Sequence, residues 1–160
     1  MPEYFTTEDF RQKMIQKFRA WGRDGNYPGT PSKIFEMFYD VSIVTTYDDK
    51  KQHVIADFGM YNESDYSGTK IIDYILMRFT GLFDNSTPKK EIFESDIVEW
   101  EHKDTGQIVR GIVKYDTELG FWGMTDVRFD DLRAIGYLAN QRVTVLGNIY
   151  QNKELVEELK

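Results

Sequence analysis

Two carboxylates set two positions apart, Glu94 and Asp96, are the residues of this chain whose types and spacing come nearest to catalytic chemistry. On one face of an extended strand they would converge on a metal ion or divide an acid–base task. The commoner use of such a pair is structural: an acid solvates an edge, or an aspartate entering a strand accepts backbone N–H bonds in the turn. The two histidines, His53 and His102, each stand alone, with no second ligand at helical spacing on a segment that reads as a helix, so no metal site is expected. Asp130-Asp131 reads as a pair of helix-start acids. There is no cysteine, which removes thiolate ligands, a disulfide framework and a cysteine nucleophile together. Neither a G-x-S-x-G elbow nor a glycine-rich phosphate loop occurs. The expectation is a protein without catalytic residues, metal or cofactor, and not an enzyme.

Binding chemistry is better represented. From Phe10 to Trp21 there are four basic residues and no acid (Arg11, Lys13, Lys17 and Arg19), and Arg23 follows. With Trp21 as a stacking ring, this segment has the ingredients of a local nucleic-acid patch. The chain as a whole argues the other way, because a formal net charge of −7 repels a phosphate backbone. Packing of the basic segment near the acidic remainder is the bland alternative. Aromatic residues make up 15% of the chain, and most of them should fill a core. Phe121 and Trp122 must point to opposite faces if both lie in a strand, so one of them is a surface aromatic of the kind that marks a binding patch. Trp122 joins Arg11, Lys13, Lys17, Arg19, Trp21 and Arg23 as a candidate interaction residue.

The elements that must position these residues are mostly short strands. Residues 6–18 carry Phe10, Met14 and Phe18 at helical spacing behind a Thr cap, which predicts an N-terminal helix ending before Gly22. The Gly- and Pro-rich stretch 22–32 reads as a loop. Strand patterns follow at 33–47 and 52–60, with a turn at 47–50. The apolar run 71–79 suits a buried strand better than a short helix. After a loop at 84–90, residues 96–100, 107–115 and 121–124 alternate as strands joined by tight turns. Leu132, Ile135 and Leu138 allow a short helix within 130–138. A last strand at 143–150 leads into a closing helix, 153–159, with Asn152 as its cap.

Five blocks, KFRAW at 17–21, RFTGL at 78–82, EIFESDIV at 91–98, RGIVKY at 110–115 and LGNIYQNKEL at 146–155, resemble in that order the YopX family of small phage and prophage proteins. The usual glycine before the Asp-Ile-Val strand is Ser95 here, and the stretch before KFRAW is longer than a typical family start. The resemblance implies a fold and a phage setting and carries over no catalytic residue.

The fold expected is mainly β (α+β): a small SH3-like or pseudo-barrel scaffold with an N-terminal and a C-terminal helix. It forms one domain over 1–160, with a helical extension (1–16), an N-terminal lobe (17–80) and a barrel-like C-terminal half (81–160). No apolar run approaches the roughly 20 residues that span a bilayer, and MPEYFTTEDF does not read as a signal peptide. A cytoplasmic protein of a bacterial host is expected, with no membrane partner. The leading expectation is a non-enzymatic domain that binds an unknown host or phage protein and forms homo-oligomers. Nucleic-acid binding through the basic segment is the alternative, and an acidic mimic of DNA that inhibits a host factor is a third option.

Overall fold

The structure, a computed structural model, describes residues 16–26, 28–46, 49–61, 65–102, 104–126, 131–134 and 142–160. The chain is mainly β and divides into two compact units, Met1–Arg78 and Phe79–Lys160.

In the first unit, β1 (Phe18–Asp24), β2 (Phe35–Phe38), β3 (Ser42–Thr45), β4 (Gln52–Met60) and the greater part of β5 (Tyr66–Phe83) form one antiparallel sheet. Their order is β2-β1-β5-β4-β3. The two edge strands are consecutive in the chain, separated only by Tyr39, Asp40 and Val41. In a flat sheet they would stand four strand spacings apart, about 19 Å. Four Cα steps from Phe38 to Ser42 reach at most about 14 Å. The sheet must therefore curl, and its corner is visible: Asp40 adopts φ 52°, and the next residue, Val41, donates its N–H to Phe18 O at 3.2 Å. Ala20, Val41, Val54, Ala56 and Ile71 are buried inside the curl, with Phe18, Phe38 and Leu76 packed on them. A bulge in β4 between Ala56 and Gly59 sharpens the bend. Opposite it Gly68 holds φ 145°, and a Cβ there would fall 2.4 Å from Ile55 Cγ2 and 2.8 Å from Ala56 O. Only glycine lets β5 approach the bulged strand this closely.

In the second unit, residues 79–83 continue β5 and pair with β6 (Glu91–Phe93). A meander follows: β7 (Asp96–Glu101), β8 (Ile108–Asp116), β9 (Phe121–Asp126) and β10 (Asp131–Ala134). β11 (Arg142–Asn148) returns beside β7, giving the order β10-β9-β8-β7-β11. Alternation assigns the faces. Val98, Trp100, Val109, Val113, Met124 and Val143 make the buried core, while Glu101, Arg110 and Lys114 are exposed. A short helix, α1 (Lys153–Glu158), ends the chain.

The outer edge of β11 is covered by side chains instead of a strand. Asn85 Oδ1 accepts the Val143 N–H at 2.8 Å, and Asp84 Oδ2 accepts the Val145 N–H at 3.0 Å. The Asn85 N–H returns a bond to Val143 O at 2.8 Å. Bonds of this kind deny an open edge to a foreign strand.

The strands expected at 52–60, 71–79, 96–100 and 121–124 lie within observed strands, and the one expected at 107–115 coincides with β8 from Ile108 onward. The N-terminal helix is corrected. Phe18, its last expected residue, opens β1, which pairs with β2 on one side and β5 on the other; the ladder bonds on both edges outweigh the helical spacing of three apolar residues. Residues 6–15 lie outside those described. The short helix read into 130–138 gives way to β10 over its described part, held in register by β9. Asn152 precedes α1 without capping it, because its Oδ1 accepts the Asn148 N–H at 3.0 Å. Among the described residues the strands of the second unit pair in the linear order β10-β9-β8-β7-β11, with no ladder between β10 and β11, so the SH3-like closure expected of residues 81–160 is not confirmed; the curled sheet belongs to the first unit.

Candidate functional site

Strand β1 decides where the basic segment goes. Side chains alternate across a strand, so Arg19, Trp21 and Arg23 share one face while Ala20 points into the core. Register adds their neighbours on that face: Arg19 sits beside Met77, Trp21 between Met37 and Ile75, and Arg23 beside Phe35. The outer face of β2-β1-β5 thus gathers aromatic, aliphatic and arginine side chains, with Arg19 and Met77 buried at one end of it. Phe35, Tyr39 and Ile75 remain exposed on it, at 43%, 53% and 46%.

The patch is ordered by ring contacts and ion pairs. Trp21 stacks on Phe35 with ring centroids 6.1 Å apart and planes 29° apart. The Arg23 guanidinium lies 5.9 Å from the centre of the Phe35 ring on which it rests, a cation–π contact. Arg23 Nε also donates to Asp73 Oδ2 at 3.0 Å, Nη2 pairs with the same carboxylate, and Nη1 donates to Ser32 O at 2.9 Å. Arg19 is buried, with its guanidinium 6.0 Å from the Tyr39 ring centre. Lys17 Nζ pairs with Asp40 at 3.3 Å. These three cations are built into the unit and do not form an open basic groove. Arg11 and Lys13 lie outside the described residues.

Trp122 takes the other of its two possible positions. It packs against the core of the second unit, edge-on to Tyr115 with centroids 5.0 Å apart. Sequence reasoning missed Phe35, Tyr39 and Ile75. The alternation of Phe35, Met37 and Tyr39 was the available signal; Ile75 could be placed on the patch only by the β1–β5 register.

Three of the groups singled out for chemistry, Asp96, His53 and His102, make structural contacts. Asp96 is buried, and its Oδ2 accepts the Phe93 N–H at 2.8 Å across the turn from β6 to β7. His53 Nε2 lies 2.8 Å from Asp49 Oδ2. The Thr46 hydroxyl, the Lys51 N–H and then this histidine hold the Asp49 carboxyl well below the usual carboxylate range. His102 Nδ1 faces the N–H groups of Asp104 and Thr105 at 3.3 and 3.4 Å, which ties the β7–β8 turn. Among the described residues no three His, Asp or Glu side chains gather as a metal site would need. An open polar depression of about 450 Å3 is lined by Asn85, Glu99, Glu101, Arg142 and Thr144 on the outer side of β7 and β11.

The sequence pattern of the YopX protein family matches residues 17–157. The chain belongs to the YopX family. No curated protein matches it. Among solved structures it is similar to the crystal structure of protein EF1440 from Enterococcus faecalis, at 26% identity and a TM-score of 0.53, over 89% of this chain and 98% of that one. Among the described residues no helix is long and apolar enough to cross a membrane.

The YopX blocks coincide with packing elements. KFRAW enters β1, RFTGL closes β5, EIFESDIV is the β6–β7 hairpin, RGIVKY lies in β8, and LGNIYQNKEL runs from β11 into α1. The departure at Ser95 has a physical consequence. Ser95 holds φ 71° in that hairpin, a conformation glycine adopts freely and serine does not. Its backbone bonds to Val113 O (3.0 Å) and from Ile149 N–H (3.2 Å) do not involve the side chain. Ser95→Gly should therefore stabilise the protein by about 1 kcal/mol, raising the thermal midpoint by about 3 °C; differential scanning calorimetry of the two proteins measures it.

Proposed function

We propose that this YopX chain is a non-enzymatic protein–protein interaction domain encoded by a phage or prophage. It works in the cytoplasm of the bacterial host, where it binds a host or phage protein and self-associates. The observation that supports this most is the outer face of β2-β1-β5, where exposed Phe35, Tyr39 and Ile75 surround Trp21 and Arg23. Trp, Tyr and Arg are the residue types that dominate binding energy at protein interfaces, and the stacking of Arg23 on Phe35 presents them already ordered, which lowers the entropy cost of docking. The family blocks fit the same reading, since they fall on strands, turns and buried polar contacts.

Nucleic-acid binding is the weaker alternative, because Lys17, Arg19 and Arg23 each already engage a carboxylate, carbonyl or ring within the unit. The experiment compares the wild-type chain with Ile75→Lys in light scattering and in capture from host lysate. The wild type should self-associate and retain a defined protein, and Ile75→Lys should weaken both at least tenfold with its thermal midpoint within about 2 °C of wild type. A strictly monomeric wild type that captures nothing the variant loses would defeat the proposal, as would low-salt binding to oligonucleotides that fades as salt rises.

A further inference from the structure

The curled sheet of the first unit is split along one seam. The β3–β4 ladder ends with Ser42 opposite Ile55. In that register paired residue numbers sum to 97 (42 + 55), so the next rungs would bring Asp40 level with Asp57 (40 + 57). Both residues hold positive φ, 52° and 53°. Each strand therefore turns out of the ladder at the same rung, and two like charges stand at the place where pairing stops, which is itself unfavourable to pairing. Among the described residues β2 is paired with β1 alone, on its inner side, and beyond that rung Gly59 and Met60 of β4 are paired with β5 alone. Among the described residues no backbone bond closes the outer edge of either segment.

Such an edge is a liability that proteins usually blunt, and this chain does so at β11 with Asp84 and Asn85. At the seam apolar groups line the open edges instead: Ile34 and Phe35 on the β2 side, Met60 on the β4 side, at 71%, 43% and 62% exposure. Glu36, Asp40 and Asp57 are exposed along the same seam. Lys17 pairs with Asp40, and neither Glu36 nor Asp57 has an ion-pair partner among the described residues.

We propose that this seam binds an extended segment of a partner protein, which adds as a β-strand along β2 and the outer part of β4. Unpaired backbone groups supply the main-chain bonds, and the edge residues select the side chains. Apolar residues of the segment pack on Phe35 and Met60; lysine or arginine at alternate positions meets Glu36 and Asp57. The mode rests on the protein–protein reading above and adds to the outer-face contact a second one, at the β2 edge that adjoins the Phe35 end of that face, where a segment of the partner is held as a strand.

The test uses the full chain as bait for bead-displayed random dodecapeptides, followed by synthesis of the enriched sequences. Enriched peptides should alternate apolar and basic residues. On binding, the amides of Phe35–Phe38 and of residues 58–60 should slow at least tenfold in hydrogen exchange. Asp57→Asn, which keeps a residue tolerant of positive φ, should weaken binding about threefold. Glu36→Pro and Met37→Pro distinguish the two sides of β2, because alternate residues of an antiparallel edge point their N–H outward. The proline that replaces an outward N–H leaves the fold intact and abolishes peptide binding. Unchanged binding by that folded variant, amides already protected in the free chain, or no enrichment of alternating peptides would overturn the proposal. Ile75→Lys lies on the outer face and away from the seam, so failure of the strand mode and failure of the broader interaction reading separate cleanly.

Discussion

Replacing Asp84 by alanine should lower stability by about 3–5 kcal/mol and the thermal midpoint by about 10–15 °C. Asp84 is buried between two segments distant in sequence and accepts four hydrogen bonds. Oδ1 takes the N–H groups of Ser86 (3.0 Å) and Lys90 (2.7 Å); Oδ2 takes the Ser86 hydroxyl (2.7 Å) and the Val145 N–H (3.0 Å). Alanine would strand buried donors and also uncover the β11 edge. Asparagine keeps the size, but each oxygen of the carboxylate already receives a backbone N–H. One must then face an amide NH2, so Asp84→Asn should cost about 2 kcal/mol.

The same residue sets a pH dependence. Burial alone would raise the Asp84 pKa; the bonds from Lys90, Val145 and Ser86 outweigh it and leave the carboxyl below its ordinary value. A carboxyl whose folded pKa is depressed binds protons more readily in the unfolded chain. Its stabilising contribution is therefore complete above the unfolded value of about 3.9 and disappears as pH falls through the folded value. Urea unfolding from pH 7 to pH 2.5 should show the gap between wild type and Asp84→Asn closing below about pH 4. A gap independent of pH would mean that the charge of Asp84 contributes nothing.

Gly111→Ala should be comparably damaging, at about 3 kcal/mol or more. Gly111 stands in β8 opposite Val98 on one side and Asp126 on the other. A Cβ there would fall 2.1 Å from Thr125 O, 2.9 Å from Thr125 C and 3.2 Å from Met124 Cε. The first two are backbone atoms of β9 and cannot rotate away. The β8–β9 ladder would have to open, and with it the packing of Val113 on Met124 in the core. Unfolding by urea, followed by tryptophan fluorescence, reads the loss. A midpoint within 0.3 M of wild type would show that the strands separate at little cost. The glycine of the RGIVKY block is thus a packing requirement.

Alternation and turn chemistry are local properties, and they made much of the C-terminal half legible in advance. Val98 and Trp100, Val109 and Val113, Asp116 with its bonds to the Glu118 and Leu119 N–H groups: each follows from a few neighbouring residues. The absence of cysteine, the isolated histidines and the five family blocks were equally readable from sequence. Pairing between distant segments was not. Three apolar residues at helical spacing announced a helix through Phe18, and two flanking strands made it the start of β1 instead. Whether the basic residues around KFRAW make a surface patch or pack within the fold stayed open until register set Arg19 beside Met77 and Arg23 beside Phe35, with Asp73 as the ion-pair partner of Arg23. The curl, the seam at Asp40 and Asp57, and the Asp84 cover on β11 depend on contacts between segments far apart in the chain. A hydrogen-bonded ladder is made by two segments at once, so neither segment alone contains the information that fixes its edge, its register or what its side chains meet.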